Sequence, residues 1–208
     1  PEETITALGR LLAEKSAEYG RIIYLIADEP YRKIIYDDIA VPPVFPAWAN
    51  SVVVTSYSKD LSLAGERIGF AAVNPAAENA EELLAAMTFA NRVLGFVNAP
   101  ALMQRVVART QGVAVDIGEY ARKRENLCDI LADAGYEFEK PQGAFYLFPR
   151  SPLADDVEFV RRLQQERILA VPGSGFGGPG YFRLSFCVDD ATIANAAEGF
   201  ARTLAAIP

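Results

Sequence analysis

The residues Ser56-Tyr57-Ser58-Lys59, followed by Gly65-Glu66-Arg67-Ile68-Gly69, form the stretch that decides the fold of this chain. They come directly after the apolar run Val52-Val53-Val54, which is typical of a buried parallel strand. The predicted strand therefore ends in two hydroxyl groups and an amine, and a guanidinium follows. Ligands of open α/β sheets bind beyond the carboxyl ends of the strands, so this stretch predicts a ligand site.

The residue types at this strand end suit a phosphorylated aldehyde. Burial of an amine favours its neutral, nucleophilic form, because the charged form is desolvated. Such amines form Schiff bases with carbonyl groups, including that of pyridoxal phosphate. Ser56, Ser58 and Arg67 supply hydrogen-bond donors for a phosphate, and arginine can donate two parallel bonds. The structural alternatives are a solvated loop position for Lys59 and a surface ion pair for Arg67.

A second apolar run, residues 24–27, leads into Asp28-Glu29-Pro30-Tyr31. We expect it to form the preceding strand, which places Asp28 and Lys59 at the same edge of the sheet. A buried carboxylate needs a cationic partner, and a protonated pyridine nitrogen is one candidate. Tyr31 is within reach of a ring oxygen. The alternatives are a turn or helix-capping role for Asp28 and simple packing for Tyr31.

In this order and spacing, the motifs resemble those of the fold-type I, class I/II aminotransferases, the aspartate aminotransferase-like group. The resemblance implies that the cofactor is pyridoxal 5'-phosphate. It implies that Asp28 pairs with the pyridine nitrogen and that Tyr31 hydrogen-bonds the ring oxygen. It also implies that Lys59 carries the Schiff base and moves the proton, while Ser56 and Arg67 bind the phosphate.

The resemblance continues towards the C-terminus. The run Tyr181-Phe182-Arg183-Leu184-Ser185-Phe186 is similar to the family strand whose arginine, here Arg183, binds the substrate α-carboxylate. An arginine in the middle of a strand faces either solvent or a ligand. Phe145 lies in a segment that resembles the family's substrate region, and a core position is equally expected. The glycine-rich residues 173–178 lack the context of a dinucleotide loop and are expected to form a turn near the substrate entrance.

The predicted fold class is α/β. Residues 1–112 are expected to form the C-terminal portion of the cofactor-binding large domain, and residues 113–208 a small α+β domain. Helices are predicted over residues 4–19, from Pro75 onward, and over 100–110, 113–134, 155–167 and the segment after Asp189. Strands are predicted over residues 21–28, 51–55, 68–74, 136–139, 144–149, 168–171 and 181–188. The resemblance implies that the third strand is antiparallel to its neighbours.

A full-length member of this family is expected to be about twice as long as these 208 residues. The chain is therefore predicted to be the C-terminal half of such an enzyme and to be inactive by itself. The resemblance implies that the complete protein is a homodimer with sites shared across the interface. Its expected substrates are an amino acid and a 2-oxo acid, and no residue of the chain marks a second carboxylate on the substrate.

The composition of the chain bears on other classes of protein function. The formal net charge of −7 disfavours a nucleic-acid surface, and no apolar run has the length of a membrane helix. The absence of histidine excludes Ser-His-Asp chemistry and the usual zinc sites, so no metal is expected. Cys128 and Cys187 are predicted to be small core residues of a cytoplasmic protein without a signal peptide.

Two alternatives remain open at this point. One is a carbon–sulfur lyase or another pyridoxal phosphate enzyme of the same fold. The other is a non-catalytic, aminotransferase-like effector domain of a transcription regulator, which the presence of Lys59 does not exclude.

Overall fold

The computed structural model describes residues 1–207, so Pro208, the last residue of the predicted small domain, lies outside the described residues. The chain forms two compact units. The first comprises Pro1–Val115 and the second begins at Asp116.

The first unit opens with helix α1, Glu2–Tyr19. Glu2 and Glu3 lie in its first turn, where their negative charges interact favourably with the positive end of the helix dipole. The helix ends at Gly20, which adopts a left-handed conformation and donates its N–H to the carbonyl of Ala17. The buried Gly9 allows the helix to approach the backbone of Ala47, where a Cβ atom would collide with the carbonyl oxygen.

Three strands form the sheet of the first unit, in the order β1-β2-β3. Strand β1, Leu25–Asp28, pairs in parallel with β2, Ser51–Ser56. Strand β3, Gly69–Val73, pairs antiparallel with β2, as the resemblance implied. Gly69 lies opposite Ser56, where a Cβ atom would collide with the carbonyl oxygen of Thr55. The sequence therefore allows β2 and β3 to approach closely beside the predicted site.

The helices of the first unit differ from the prediction in one additional helical turn and in one later start. Helix α2, Tyr57–Asp60, is a single turn, and α3 and α4 cover Ala80–Val93 and Ala101–Arg109. The helix predicted from Pro75 is present but begins only at Ala80, because residues 75–79 form a turn. Asn74 closes that turn by accepting the N–H of Ala76 on its side-chain oxygen. Tyr57, Ile68 and Val107 form a small buried core beneath the Lys59 turn.

The second unit is built on helix α5, Ile117–Ala134. It begins four residues later than predicted, because Asp116 caps it by accepting the N–H of Glu119 at 3.2 Å. Tyr136 follows the helix and packs edge-on against Phe182 and Phe200 at centroid distances of 5.9 and 5.7 Å. Its hydroxyl donates to the carbonyl of Phe200 at 3.1 Å, and burial raises its pKa. These contacts identify the core of the unit.

The second sheet is antiparallel with the order β4-β6-β5, and its strands are shorter than predicted. Strand β4 covers only Tyr146–Leu147, β5 covers Val171–Pro172 and β6 covers Phe182–Ser185. Residues 136–139 form no strand, so that prediction is wrong. Left-handed backbone at Ala144 and Arg167, with φ of 59° and 61°, delays the strands that follow.

Three further helices complete the second unit. Helix α6, Asp156–Gln165, is capped by Asp155, and the predicted closing helix is divided into α7, Asp190–Asn195, and α8, Ala197–Ala205. None of the helices within residues 1–207 is long and apolar enough to cross a membrane.

Both cysteines are free thiols, but their environments differ. Cys128 is buried in α5, and burial raises its pKa to about 11. Cys187 is exposed, so its prediction as a core residue is wrong. Alternation explains this exposure, because Phe182, Leu184 and Phe186 are buried and Cys187 lies on the opposite face with Ser185. The hydroxyl of Tyr120 lies 3.4 Å from its sulfur, and this hydrogen bond, with burial, raises the pKa of Tyr120 to about 12.

Candidate active site

The Lys59 turn is set by a local cap. Strand β2 ends at Ser56, whose hydroxyl accepts the N–H of Ser58 at 3.2 Å and thereby starts α2. The two serine hydroxyls are 2.7 Å apart. The sequence placed Lys59 at the end of a buried strand, and this detail is wrong. The lysine belongs to the helical turn and is half-buried.

The geometry of this single turn separates its four side chains. Tyr57 and Asp60, three residues apart, are the buried pair of the turn. Ser58 and Lys59 lie between them and line a cavity at the end of the sheet. The buried pair therefore fixes the turn, while the polar pair is presented to the cavity.

A cavity of about 490 Å³ lies at the carboxyl ends of β1 and β2, within the usual range for small-molecule pockets of about 300–1,000 Å³. Five of the six predicted cofactor-binding residues line it: Asp28, Ser56, Ser58, Lys59 and Arg67. The sixth, Tyr31, lies next to the amine, with the Nζ atom of Lys59 5.8 Å from the centroid of its ring.

Asp28 is exposed, whereas the sequence reasoning treated it as a buried carboxylate. The reason is the face of β1 on which it lies, because Leu25 and Ala27 on the opposite face are half-buried. Ile26 shares the same face two residues earlier, and 67% of its surface is exposed. The carboxylate thus lies at the cavity on an open apolar face of the sheet.

Arg67 occupies a strained backbone position. It follows a 3-10 turn, Ala64–Glu66, and has φ 50° and ψ 52°, which is uncommon for a residue other than glycine. One of its guanidinium nitrogens donates to the carbonyl of Ala64 at 2.9 Å. Strain of this kind is often found at functional sites, and here it accompanies a cationic side chain that lines the cavity.

The sequence reasoning missed Lys33 and Asp60. The Nζ atom of Lys33 lies 3.2 Å from Oδ2 of Asp60, and it also donates to the carbonyls of Gln111 and Val113 at 3.3 and 3.4 Å. Oδ1 of Asp60 is buried without a hydrogen-bond partner. The charge next to Lys59 was visible in the sequence, but its partner is distant along the chain. This ion pair anchors the turn that carries Lys59.

Arg183, the predicted substrate residue, belongs to the second unit and lies in the middle of β6. Its neighbours Phe182 and Leu184 are buried on one face of the strand. Arg183 is on the opposite face and is half-buried. Phe145 is buried and stacks on Tyr120 with a centroid distance of 5.8 Å, so it occupies a core position.

Comparison with known proteins assigns the family. Residues 10–200 match the profile of "Aminotransferase class I and II". The chain belongs to the class I and II aminotransferase family. Members of this family generally use pyridoxal 5'-phosphate.

Relatives and solved structures agree with this assignment. An aspartate/prephenate aminotransferase of Thermus thermophilus is 29% identical, over 98% of this chain and 52% of its own length. An amino transferase from Eubacterium rectale superimposes with a TM-score of 0.95 and 44% identity, over 98% of this chain and 51% of that one. An aspartate aminotransferase from Thermotoga maritima superimposes with a TM-score of 0.81 and 25% identity, with 98% and 52% coverage. The predicted α/β aminotransferase fold is therefore confirmed.

The chain spans about half the length of the curated relatives that it matches, since the covered shares are 52% for the relatives from Thermus thermophilus and Bacillus subtilis. The activity, substrates and partners of a complete protein of this family are consequently matters of proposal for this chain.

Proposed function

We propose that this chain contributes to a pyridoxal 5'-phosphate-dependent aminotransferase, which transfers an amino group between an amino acid and a 2-oxo acid. The observation that supports this best is that Asp28, Ser56, Ser58, Lys59 and Arg67 line the same cavity. The named relatives are aminotransferases, so they do not favour a carbon–sulfur lyase or a regulatory effector domain.

The donor set fits this cofactor group by group. Two hydroxyls and a guanidinium suit a phosphate, the amine of Lys59 suits an aldehyde, and the carboxylate of Asp28 suits a protonated pyridine nitrogen. Tyr31 lies beside Lys59, where its hydroxyl would donate to a ring oxygen. When bound, the cofactor supplies an electron sink for negative charge that develops at the substrate α-carbon.

The chain's own residues would divide the remaining work. Lys59 would hold the cofactor through its amine and, once released by the incoming amino acid, would take the proton from the substrate α-carbon. Asp28 would keep the pyridine nitrogen protonated by accepting its N–H. Ser56, Ser58 and Arg67 would fix the phosphate, and Arg183 would bind the substrate carboxylate with two parallel hydrogen bonds.

The wider organisation belongs to the same proposal. Residues 1–112 would be part of a cofactor-binding large domain and residues 113–208 a small domain. The complete protein would be a cytoplasmic homodimer, and the 208 residues alone would not catalyse transamination.

The first test is to mix the chain with pyridoxal 5'-phosphate, record the visible spectrum, reduce with borohydride and map the labelled peptides. We expect a yellow complex of the chain with the cofactor and, after reduction, a label on Lys59. Lys59→Ala should remove that label, whereas Lys15→Ala, in helix α1 and paired with Glu18, should not. Label scattered over surface lysines would contradict a preformed site in this chain.

The second test is transamination by the complete protein that contains these residues. Lys59→Ala should lower the rate by several orders of magnitude, because it removes both the nucleophile and the proton carrier. Retention of the activity in that variant would exclude the assigned role of Lys59.

A further inference from the structure

The guanidinium of Arg183 lies against two aromatic rings. Its central carbon is 4.5 Å from the ring centroid of Tyr146 and 4.1 Å from that of Phe176. Both distances are well within the range of about 6 Å at which a cation is attracted to the face of a ring. Arginine is the usual cation in such contacts, because its planar group stacks on aromatic faces.

The same guanidinium has no hydrogen bond or ion pair with any residue from 1 to 207. Most arginine side chains in folded proteins satisfy their donors with carboxylates, carbonyls or water. Here the protein contacts the guanidinium of Arg183 through the faces of aromatic rings. These faces do not accept hydrogen bonds from its N–H groups in the way that an oxygen atom does. The N–H edge therefore remains available to an anion.

The sheet places Tyr146 beside Arg183. Tyr146 of β4 lies opposite Ser185 of β6, and Arg183 is two residues before Ser185 on the same face. Such diagonal neighbours on one face are within reach of aromatic and long side chains. The opposite face carries the buried Leu147 and Leu184, so a shift of one residue in register would bury the arginine.

A rigid turn places Phe176. The 3-10 turn Gly173–Phe176 is joined to α6 by the N–H of Ser174, which donates to Oδ2 of Asp156 at 2.6 Å. Gly173 donates its N–H to the carbonyl of Tyr181 at 2.8 Å, and a Cβ atom at Gly173 would collide with the carbonyl oxygen of Gly178. The ring is thus held by the fold although 49% of its surface is exposed.

We propose that Tyr146 and Phe176 are positioning residues that hold the side chain of Arg183 in one orientation, with its donors directed to a carboxylate. This proposal rests on the proposed function of Arg183. An arginine side chain that is ordered before binding loses less conformational entropy when the anion arrives, so the two rings increase affinity without contacting the anion. They also explain why two aromatic residues remain partly exposed beside an arginine.

The test combines nuclear magnetic resonance with titration by propionate, a simple carboxylate, on the 208-residue chain. The Nε–H resonance of Arg183 is identified by its loss in Arg183→Lys. In Tyr146→Leu and Phe176→Leu, the resonance should move away from its ring-shifted position. Propionate affinity should fall about threefold to tenfold in each variant, as expected for the loss of one cation–π contact.

Two kinds of variant control this result. Tyr146→Phe and Phe176→Tyr keep a ring and should keep both the resonance and the affinity. Tyr181→Leu removes another partly exposed ring, which stacks on Phe148 at 5.5 Å, and it should leave propionate binding unchanged. Circular dichroism establishes whether each variant is folded. If a leucine variant does not fold, Tyr146→Phe and Phe176→Tyr still test the proposal, because both must keep the resonance and the affinity.

The outcomes separate this proposal from the proposed function. An unchanged Nε–H resonance in both leucine variants would overturn the positioning role, and so would a changed resonance with unchanged affinity. A wild-type chain in which propionate does not perturb Arg183 would also overturn it. The proposed function is judged independently, by whether pyridoxal 5'-phosphate labels Lys59.

Discussion

Replacement of Lys33 by Met should destabilise the first unit and loosen the turn that carries Lys59. The ammonium of Lys33 lies 3.2 Å from Asp60, and only 10% of the Asp60 side chain is exposed. The second carboxylate oxygen of Asp60 is already buried without a partner. Lys33→Met would therefore leave a buried carboxylate without a compensating charge.

The magnitude follows from the geometry. Leaving a buried charged group unpaired costs about 1–3 kcal/mol or more. Since 38% of the Lys33 side chain is exposed, water can partly compensate for the lost ammonium in the variant. The cost is therefore expected in the lower half of that range. Loss of the two long hydrogen bonds to Gln111 and Val113 adds about 0.5 kcal/mol. We expect a total of about 2 kcal/mol.

Urea unfolding followed by tryptophan fluorescence measures this quantity. Trp48 is the single tryptophan of the sequence, and its indole N–H donates to the carbonyl of Ile23 at 3.0 Å, so it reports on the first unit. With a slope of about 1–3 kcal/mol per molar urea, the midpoint should fall by roughly 1 M. Lys15→Met is the matched control, because the pair of Lys15 with Glu18 is exposed and should contribute less than about 1 kcal/mol.

A double-mutant cycle completes the test. Asp60→Asn alone removes the charge, and the pair Lys33→Met with Asp60→Asn should be less destabilised than the sum of the two changes, by about 1 kcal/mol. Amide hydrogen exchange over residues 57–60 should accelerate in Lys33→Met. Additive free energies, or exchange equal to that of the wild type, would refute the anchoring role of this ion pair.

Three further predictions concern separate features of the chain. Gly69→Ala should lower the free energy of unfolding of the first unit by about 1–3 kcal/mol by forcing β3 away from Thr55, as measured by the same urea titration. Arg67→Gly should relieve the left-handed backbone strain at this position and change the free energy of unfolding by less than about 1 kcal/mol. The same variant should weaken pyridoxal 5'-phosphate binding about tenfold or more, because it removes the guanidinium. An Arg67→Lys variant that binds the cofactor with equal affinity would contradict a bidentate role for Arg67. At pH 8 a thiol reagent should label Cys187 and leave Cys128 unlabelled until the chain unfolds, so rapid labelling of Cys128 in the native protein would contradict its burial. Because burial raises the pKa of Cys128 from 9.0 to about 11 in the folded state, the free energy of unfolding should fall as the pH rises through this interval.

The parts of the fold that were predictable depend on contiguous residues. Gly20 and Gly135 end their helices in left-handed conformations, and Asp155 starts the next, because capping involves atoms only a few residues apart. The segment from Ser56 to Arg67 was predictable for the same reason. The spacing of a serine cap, a lysine and an arginine within twelve positions is enough to direct three polar groups into one cavity.

Strand lengths were less predictable than strand positions. The apolar pattern around Tyr146 and Phe182 located β4 and β6, but only two and four residues of them form strands. Backbone conformations such as that of Ala144 delay the start of a strand, and they are decided by the packing of the surrounding chain. Periodicity identifies which face is buried, whereas the extent of the ladder depends on a partner strand that is distant in sequence.

By itself, the sequence determined the family, the approximate places of most elements and the identities of residues that line the cavity, because these depend on local motifs and their spacing. The tertiary structure decided the surroundings of those residues. It exposed Asp28 on an edge strand, paired Asp60 with Lys33 across 27 positions, and brought Phe176 against Arg183. Such contacts form only after distant segments are brought together by loop closure and burial of the core, and no local pattern specifies which of the available partners will meet.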